Sequence, residues 1–168
     1  MPQLIHITQG EHAVSAEADV TITTLLGSCV ACCIWDPVAG LGGMNHMLLA
    51  RTGFTGRLSN RSGVAEMETL INEIVERGGV RTRLRAKAFG GAHMVSGLSD
   101  IGPQNAAFAL DYLAQEGIFC EASSLGGLSA RLVRFWPATG RVQQKRTSDV
   151  PRDRLAGGIA RQNGPELF

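Results

Sequence analysis

The chain has 168 residues, 44% of them hydrophobic and 18% charged, and its 16 Lys and Arg nearly balance 15 Asp and Glu for a formal charge of +1. That length suits one domain with a real core, and the near-neutral charge gives no case for nucleic acid or an anionic membrane surface as partner. No apolar run approaches the roughly 18 residues of a membrane span, and the first residues lack a basic-then-apolar signal, so a cytoplasmic location is expected.

In chain order, three short apolar stretches come first: Val20–Leu26, Val30–Trp35 and Met44–Leu49. Each reads as a strand, and tight turns join them into neighbours. From Ser62 to Arg77 the apolar residues Val64, Met67, Ile71, Ile74 and Val75 recur at helical spacing, and Gly78-Gly79 ends the run. Arg81, Arg83, Arg85 and Lys87 then alternate with Leu84, Ala86 and Ala88, the pattern of a strand with one solvated basic face. A second helix is predicted from Pro103, well suited to a first helical position, to Glu116, with Gly117 as its stop. Ile118–Ser124, Ala130–Trp136 and Arg141–Lys145 give further strands, the last two forming a hairpin across Pro137-Ala138-Thr139-Gly140. Strands in runs with two inserted helices indicate an α+β fold, with mixed β-sheets and helices packed on one side. Residues 1–146 form the expected domain. Residues 147–168 mix charge, proline and glycine without periodicity and read as a flexible C-terminal tail.

The chemistry concentrates in residues 23–46. Cys29 follows the corner Gly27-Ser28 at the mouth of a strand, and His46 follows the pair Gly42-Gly43 on a later one. A cysteine in an apolar segment is most often a small buried hydrophobe, and a lone sheet histidine is more often a satisfied core residue than a catalyst. Here each stands beside a glycine corner that lets backbone turn or approach closely. A thiol with an imidazole in reach is the minimum apparatus for covalent acyl chemistry, because the imidazole makes and stabilises the thiolate that attacks, so His46 is expected to raise the thiolate fraction of Cys29. The backbone N–H groups of Gly27, Ser28 and Cys29 are candidates to hold the resulting oxyanion.

A zinc site is the competing use of these cysteines. Cys29-x2-Cys32 with His46 downstream lacks a fourth ligand at suitable spacing. On a strand, Cys29 and Cys32 also point to opposite faces. No metal and no cofactor are therefore expected, and Cys32, Cys33 and Cys120 are left as core cysteines.

The ordered blocks Thr23-x5-Cys29 within Leu26-Gly27-Ser28-Cys29-Val30, then Asp36-Pro37, then Gly42-Gly43-Met44-Asn45-His46, resemble the CheD family of chemoreceptor glutamine deamidases. Gly10-Glu11 upstream, Phe89-Gly90-Gly91-Ala92, Ile101-Gly102-x2-Asn105 and Gly126-Gly127 before Arg131 extend the resemblance over roughly residues 3–145. The chain departs from the family pattern at His93, Ala130 and Ala50. The resemblance implies a three-layer sandwich, with Cys29 as nucleophile, His46 as base and acid, and Thr23 as the hydroxyl that orients His46. It implies a protein-glutamine glutaminase whose substrates are methyl-accepting chemoreceptor cytoplasmic domains in chemotaxis. Some members also bind a CheC-type phosphatase. Gly90, Gly91, His93, Gly126 and Gly127 form the expected substrate rim. Two alternatives stand beside this reading: a non-catalytic receptor-binding regulator, and a cysteine esterase or peptidase on another acyl substrate.

Overall fold

The computed structural model describes residues 1–52, 57–94, 101–147 and 164–168. Two short strands, β1 (Gln3–His6) and β2 (His12–Ser15), precede β3 (Val20–Leu26), β4 (Val30–Asp36) and β5 (Leu41–Asn45). A hairpin of β6 (Ala50–Thr52) and β7 (Arg57–Ser59) leads into helix α1 (Asn60–Glu76). Strand β8 (Arg85–Gly90) follows, then helix α2 (Ile101–Gln115), β9 (Phe119–Leu125), β10 (Arg131–Trp136), β11 (Arg141–Arg146) and β12 (Glu166–Leu167).

Two mixed five-stranded sheets result, ordered β1-β3-β10-β11-β12 and β2-β5-β4-β8-β9. Each contains one parallel pair, β1 with β3 and β8 with β9. The second sheet is the middle of three layers. Its Val30, Cys32, Ile34 and Ala86 pack with Met67, Leu70, Ile71 and Ile74 of α1 and Phe108, Ala109 and Leu113 of α2. Its Ala31, Cys33, Trp35 and Phe89 pack on Ile22, Leu26, Val133 and Phe135 of the first sheet. Every residue of β4 is buried, which is why Val30–Trp35 is apolar without alternation: both of its faces are core. Among the described residues no helix is long and apolar enough to cross a membrane.

The α+β class, the layered sandwich and both helices match the sequence reading, and the differences have physical causes. β3 and β4 are not neighbours in one sheet; the corner between them carries the chain from one sheet to the other. The strand expected at Met44–Leu49 begins earlier, at Leu41, and holds Gly42 and Gly43 within it. Side chains at those two positions would collide with Trp35 and with the Ala13 carbonyl oxygen, so the glycines serve close strand packing. On α1, Leu70 rather than Val75 completes the buried face, and Val75 is 39% exposed.

The row Arg81, Arg83, Arg85 and Lys87 is not a solvated strand face. Arg81–Arg83 form a 3-10 turn, and each cation has a partner. Arg81 pairs with Glu116, Arg85 with Glu121 and Arg83 with Asp36. The buried Lys87 lies over the Trp35 ring and donates to the Gly140 carbonyl at 2.8 Å. Asp36 is fully buried. Burial alone would raise its carboxyl pKa, but the Arg83 guanidinium and the N–H groups of Val80, Ala39 and Val38 outweigh that and hold it well below the usual carboxylate range.

Of the segment read as a tail, residues 148–163 lie outside the described residues. Its end is held to the first sheet: Glu166–Leu167 pair with Gln143–Gln144, and the Phe168 ring packs edge-on against Phe89 at 5.2 Å between centroids.

Candidate active site

The corner Gly27-Ser28-Cys29 is fastened through all three of its carbonyls. Ala92 N–H donates to the Gly27 carbonyl at 3.0 Å, Asn105 Nδ2 to that of Ser28 at 2.9 Å, and Gly91 N–H to that of Cys29 at 2.9 Å. In a trans peptide the N–H points opposite to the carbonyl. Tying back the carbonyls of Gly27 and Ser28 therefore turns the N–H groups of Ser28 and Cys29 away from the supporting loop. Gly90 permits the close fit: it sits at φ +110°, and a side chain there would strike the Cys29 carbonyl oxygen. A further strut stands behind it. Gly126 N–H donates to the Gly90 carbonyl and His93 N–H to that of Gly127, both at 2.9 Å, while the buried Arg131 guanidinium clamps the Ser124 and Gly126 carbonyls.

That arrangement divides the residues expected on a rim. Gly90 and Gly91 are buried backing for the Cys29 corner, whereas Gly127 is exposed and His93 and Gly126 are partly so. Asn105, fully buried at the start of α2, joins corner to scaffold by also accepting from Leu49 N–H at 3.0 Å.

His46 follows β5. Val30 and Met47 exchange both backbone hydrogen bonds, so Ala31 lies opposite His46. Cys29, two residues before Ala31, is then a diagonal neighbour of His46 on the same face, a separation that long side chains span. Cys29 packs at the edge of the core between the sheets, and Cys32 packs on the opposite, helix-facing side.

The hydroxyl on His46 is not that of Thr23. Thr23 faces away from the second sheet and donates to the Val133 carbonyl at 2.9 Å. Thr24, the next residue, lies 2.6 Å from His46 Nδ1 and donates to the Ile7 carbonyl at 2.7 Å. A threonine hydroxyl has one proton. With that proton on Ile7, the oxygen can only accept from His46, so Nδ1 carries the hydrogen and Nε2 is left with a lone pair. This is the tautomer a general base needs.

The electrostatics give a neutral resting pair. Burial pushes the Cys29 thiol up to about 11, and the Glu66 carboxylate adds to the rise. Burial also pulls the His46 imidazole below its usual value, against the Glu11 carboxylate. The expectation that His46 enriches the resting thiolate is thus corrected. Desolvation disfavours both charged forms, and proton transfer has to accompany attack.

Three residues of the site were missed in the sequence. Thr24 was legible: a threonine between Ile22 and Leu26 on the core-facing side of β3 requires a polar partner. Gln9, whose Oε1 lies 4.0 Å from Cys29 Sγ, reaches the site from a turn 20 residues away and left no periodic signal. Glu66 lines a cleft with Gly10, Glu11, His12 and Asn45, its carboxylate bears on the Cys29 thiol, and burial raises its own carboxyl pKa. On an amphipathic helix it read as one more polar position.

With this geometry, comparison with known proteins is specific. The family model described as CheD chemotactic sensory transduction matches residues 50–146. The probable chemoreceptor glutamine deamidase CheD of Caulobacter vibrioides is 52% identical over 153 residues, covering 89% of this chain and 82% of that protein. The protein of the same name from Agrobacterium fabrum is 52% identical over 141 residues, covering 83% of this chain and 78% of its own. Among solved structures, the Bacillus licheniformis hypothetical protein YfiH aligns at a TM-score of 0.45 and 15% identity, over 67% of this chain and 49% of that one.

Proposed function

The chain belongs to the CheD family, and we propose that it is a cysteine amide hydrolase converting selected glutamine side chains of methyl-accepting chemoreceptors to glutamate. The catalytic unit spans residues 1–146, with Cys29 as nucleophile and His46 as acid and base. The observation that carries the reading is the pair itself: a half-buried thiol and a histidine on one sheet face, with Thr24 fixing the imidazole in its basic tautomer.

As Sγ adds to the carboxamide carbon, its proton passes to His46 Nε2 and the C=O electron pair moves onto oxygen. An amide nitrogen leaves poorly unless protonated. The imidazolium returns its proton to that nitrogen as the C–N bond breaks, releasing ammonia and leaving a thioester. His46 then takes a proton from water, hydroxide adds to the thioester carbon, and collapse expels the thiolate, which is reprotonated. The sum is glutamine plus water giving glutamate plus ammonia. The substrate places the reaction in the cytoplasm, and a CheC-type phosphatase is the further partner of this reading, tested by co-purification.

The direct experiment is mass spectrometry of a purified receptor cytoplasmic fragment before and after incubation, alongside free glutamine and a short glutamine peptide. The fragment is expected to turn over fastest, because contacts remote from the reacting amide supply orientation. Equal rates on all three would identify a general amidase instead.

A paired substitution separates the two threonines. Thr24→Val keeps the shape but removes the acceptor for His46 Nδ1–H, and kcat should fall by about 10²-fold, a large part of what acid–base catalysis contributes. Thr23→Val removes a hydrogen bond to Val133 and should cost about 1 kcal/mol of stability with kcat nearly unchanged. Kinetics and thermal melts of both variants check this; a greater kcat loss at Thr23 would reverse the assignment.

A further inference from the structure

We propose that Gln9 is a catalytic residue whose side-chain carboxamide donates to the oxyanion formed when Cys29 attacks; the inference rests on the deamidase reading. The Gln9 side chain reaches the Cys29 sulfur, with Oε1 4.0 Å from Sγ. Its backbone is built for that placement. Glu11 N–H closes a four-residue turn on the Thr8 carbonyl at 2.9 Å, with Gln9 second and Gly10 third at φ +85°, the conformation of a type II turn. The Glu11 carboxylate locks the turn by accepting from Thr8 N–H and Oγ1, both at 2.7 Å.

The same turn is pinned to the histidine. Gly10 N–H donates to the His46 carbonyl at 2.9 Å, and His46 N–H donates to the Glu11 carbonyl at 3.0 Å. Ile7, just before the turn, provides the carbonyl that takes the Thr24 proton. One short segment therefore sets the tautomer of His46, anchors its backbone and brings a carboxamide to the thiol.

At rest the Gln9 oxygen accepts from the neutral thiol. Rotation about the last side-chain torsion, which is broad and two-fold, brings Nε2 to the same place with two N–H donors. In the reaction the sulfur bonds to the substrate carbon and the oxyanion forms one bond beyond it. A donor about 4 Å from sulfur is within reach of the roughly 2.7–3.1 Å at which oxyanion donors act. Gln9 Nε2–H and Cys29 N–H then hold the charge from two sides until the electron pair returns, the C–N bond breaks and His46 protonates the departing nitrogen.

The test uses full-length Gln9→Ala and Gln9→Glu with two readouts. Deamidation of a receptor fragment develops an oxyanion; alkylation of Cys29 by iodoacetamide, a displacement at a saturated carbon, does not. Gln9→Ala is expected to lower kcat by about 10²-fold and to leave the alkylation rate within about twofold of wild type. Gln9→Glu, with no N–H to give and an added negative charge, should fall at least as far. Gln9 is exposed at a turn, so melting temperatures should stay close to wild type. Full turnover in Gln9→Ala overturns the proposal, as does a fall in kcat matched by an equal fall in alkylation, which would mean that Gln9 only positions the thiol. A wild-type protein that leaves the fragment unchanged overturns the deamidase reading, and this one with it.

Discussion

Cys29→Ala should leave a folded protein with no measurable deamidation, a loss of at least about 10⁴-fold on the scale of other covalent nucleophiles. The sulfur is half-buried at the rim of the inter-sheet core, and the backbone at this position is held by hydrogen bonds that the substitution does not touch. Stability should therefore change by only about 1 kcal/mol, far less than a large-to-small change in a sealed core. Cys32→Ala is the matched control. Its thiol is fully buried on the helix-facing side of the middle sheet, with burial pushing its pKa up to about 12. That variant should lose stability and keep turnover per folded molecule. The measurement is kcat on a receptor fragment together with urea unfolding for both. Residual turnover in Cys29→Ala above the uncatalysed rate would rule out a thioester pathway through this residue.

What could be read from the sequence follows the range of the forces involved. Helices α1 and α2 and the hairpin of β10 and β11 are fixed by local periodicity, caps and turns, and they were found within a few residues. Long-range choices were not legible. Nothing between Leu26 and Val30 says that the chain changes sheets at that corner, because a tight turn and a crossover use the same residues. The basic row from Arg81 to Lys87 alternates like a solvated face, yet its cations are assigned by Asp36, Glu116 and Glu121, acids remote in sequence or hidden at a strand end.

The site divides in the same way. Cys29 at its glycine corner and His46 after the Gly42-Gly43 pair stood out as candidate reactive groups, although those two glycines lie within β5 and serve strand packing. The residues that tune them, namely Gln9, Thr24 and Glu66, act through a turn, a strand face and a helix that only the fold brings together. Thr24 is instructive because alternation along β3 was sufficient to find it. Val20, Ile22 and Leu26 mark the buried face, and Thr24 is the polar member of that set. The family motif pointed to Thr23, whose side chain lies on the other face.

The largest effect after Cys29 is expected at His46, and its pH dependence tests the electrostatics directly. In the wild type the base is a neutral imidazole whose pKa lies below the usual value. Activity should therefore rise as that proton is lost, with the acid limb below the normal histidine range, and reach its plateau by neutral pH. His46→Ala removes the acceptor for the thiol proton, and the rate then follows the fraction of sulfur already ionised. With the thiol held at about 11 by burial and by Glu66, that fraction at pH 7 is roughly 10⁻⁴. Turnover should fall by about 10³–10⁴-fold, allowing for the acid role in ammonia departure as well. Between pH 7 and 10 the alkylation rate of Cys29 in this variant should climb about tenfold per pH unit, as free thiolate dictates. Two outcomes would overturn the account. A midpoint near 8–9 would show a sulfur that burial does not perturb, and an unchanged neutral-pH turnover would show that some other group takes the proton. Glu66→Gln in the same background sharpens the test, because removing that carboxylate should shift the alkylation profile to lower pH while leaving its slope intact.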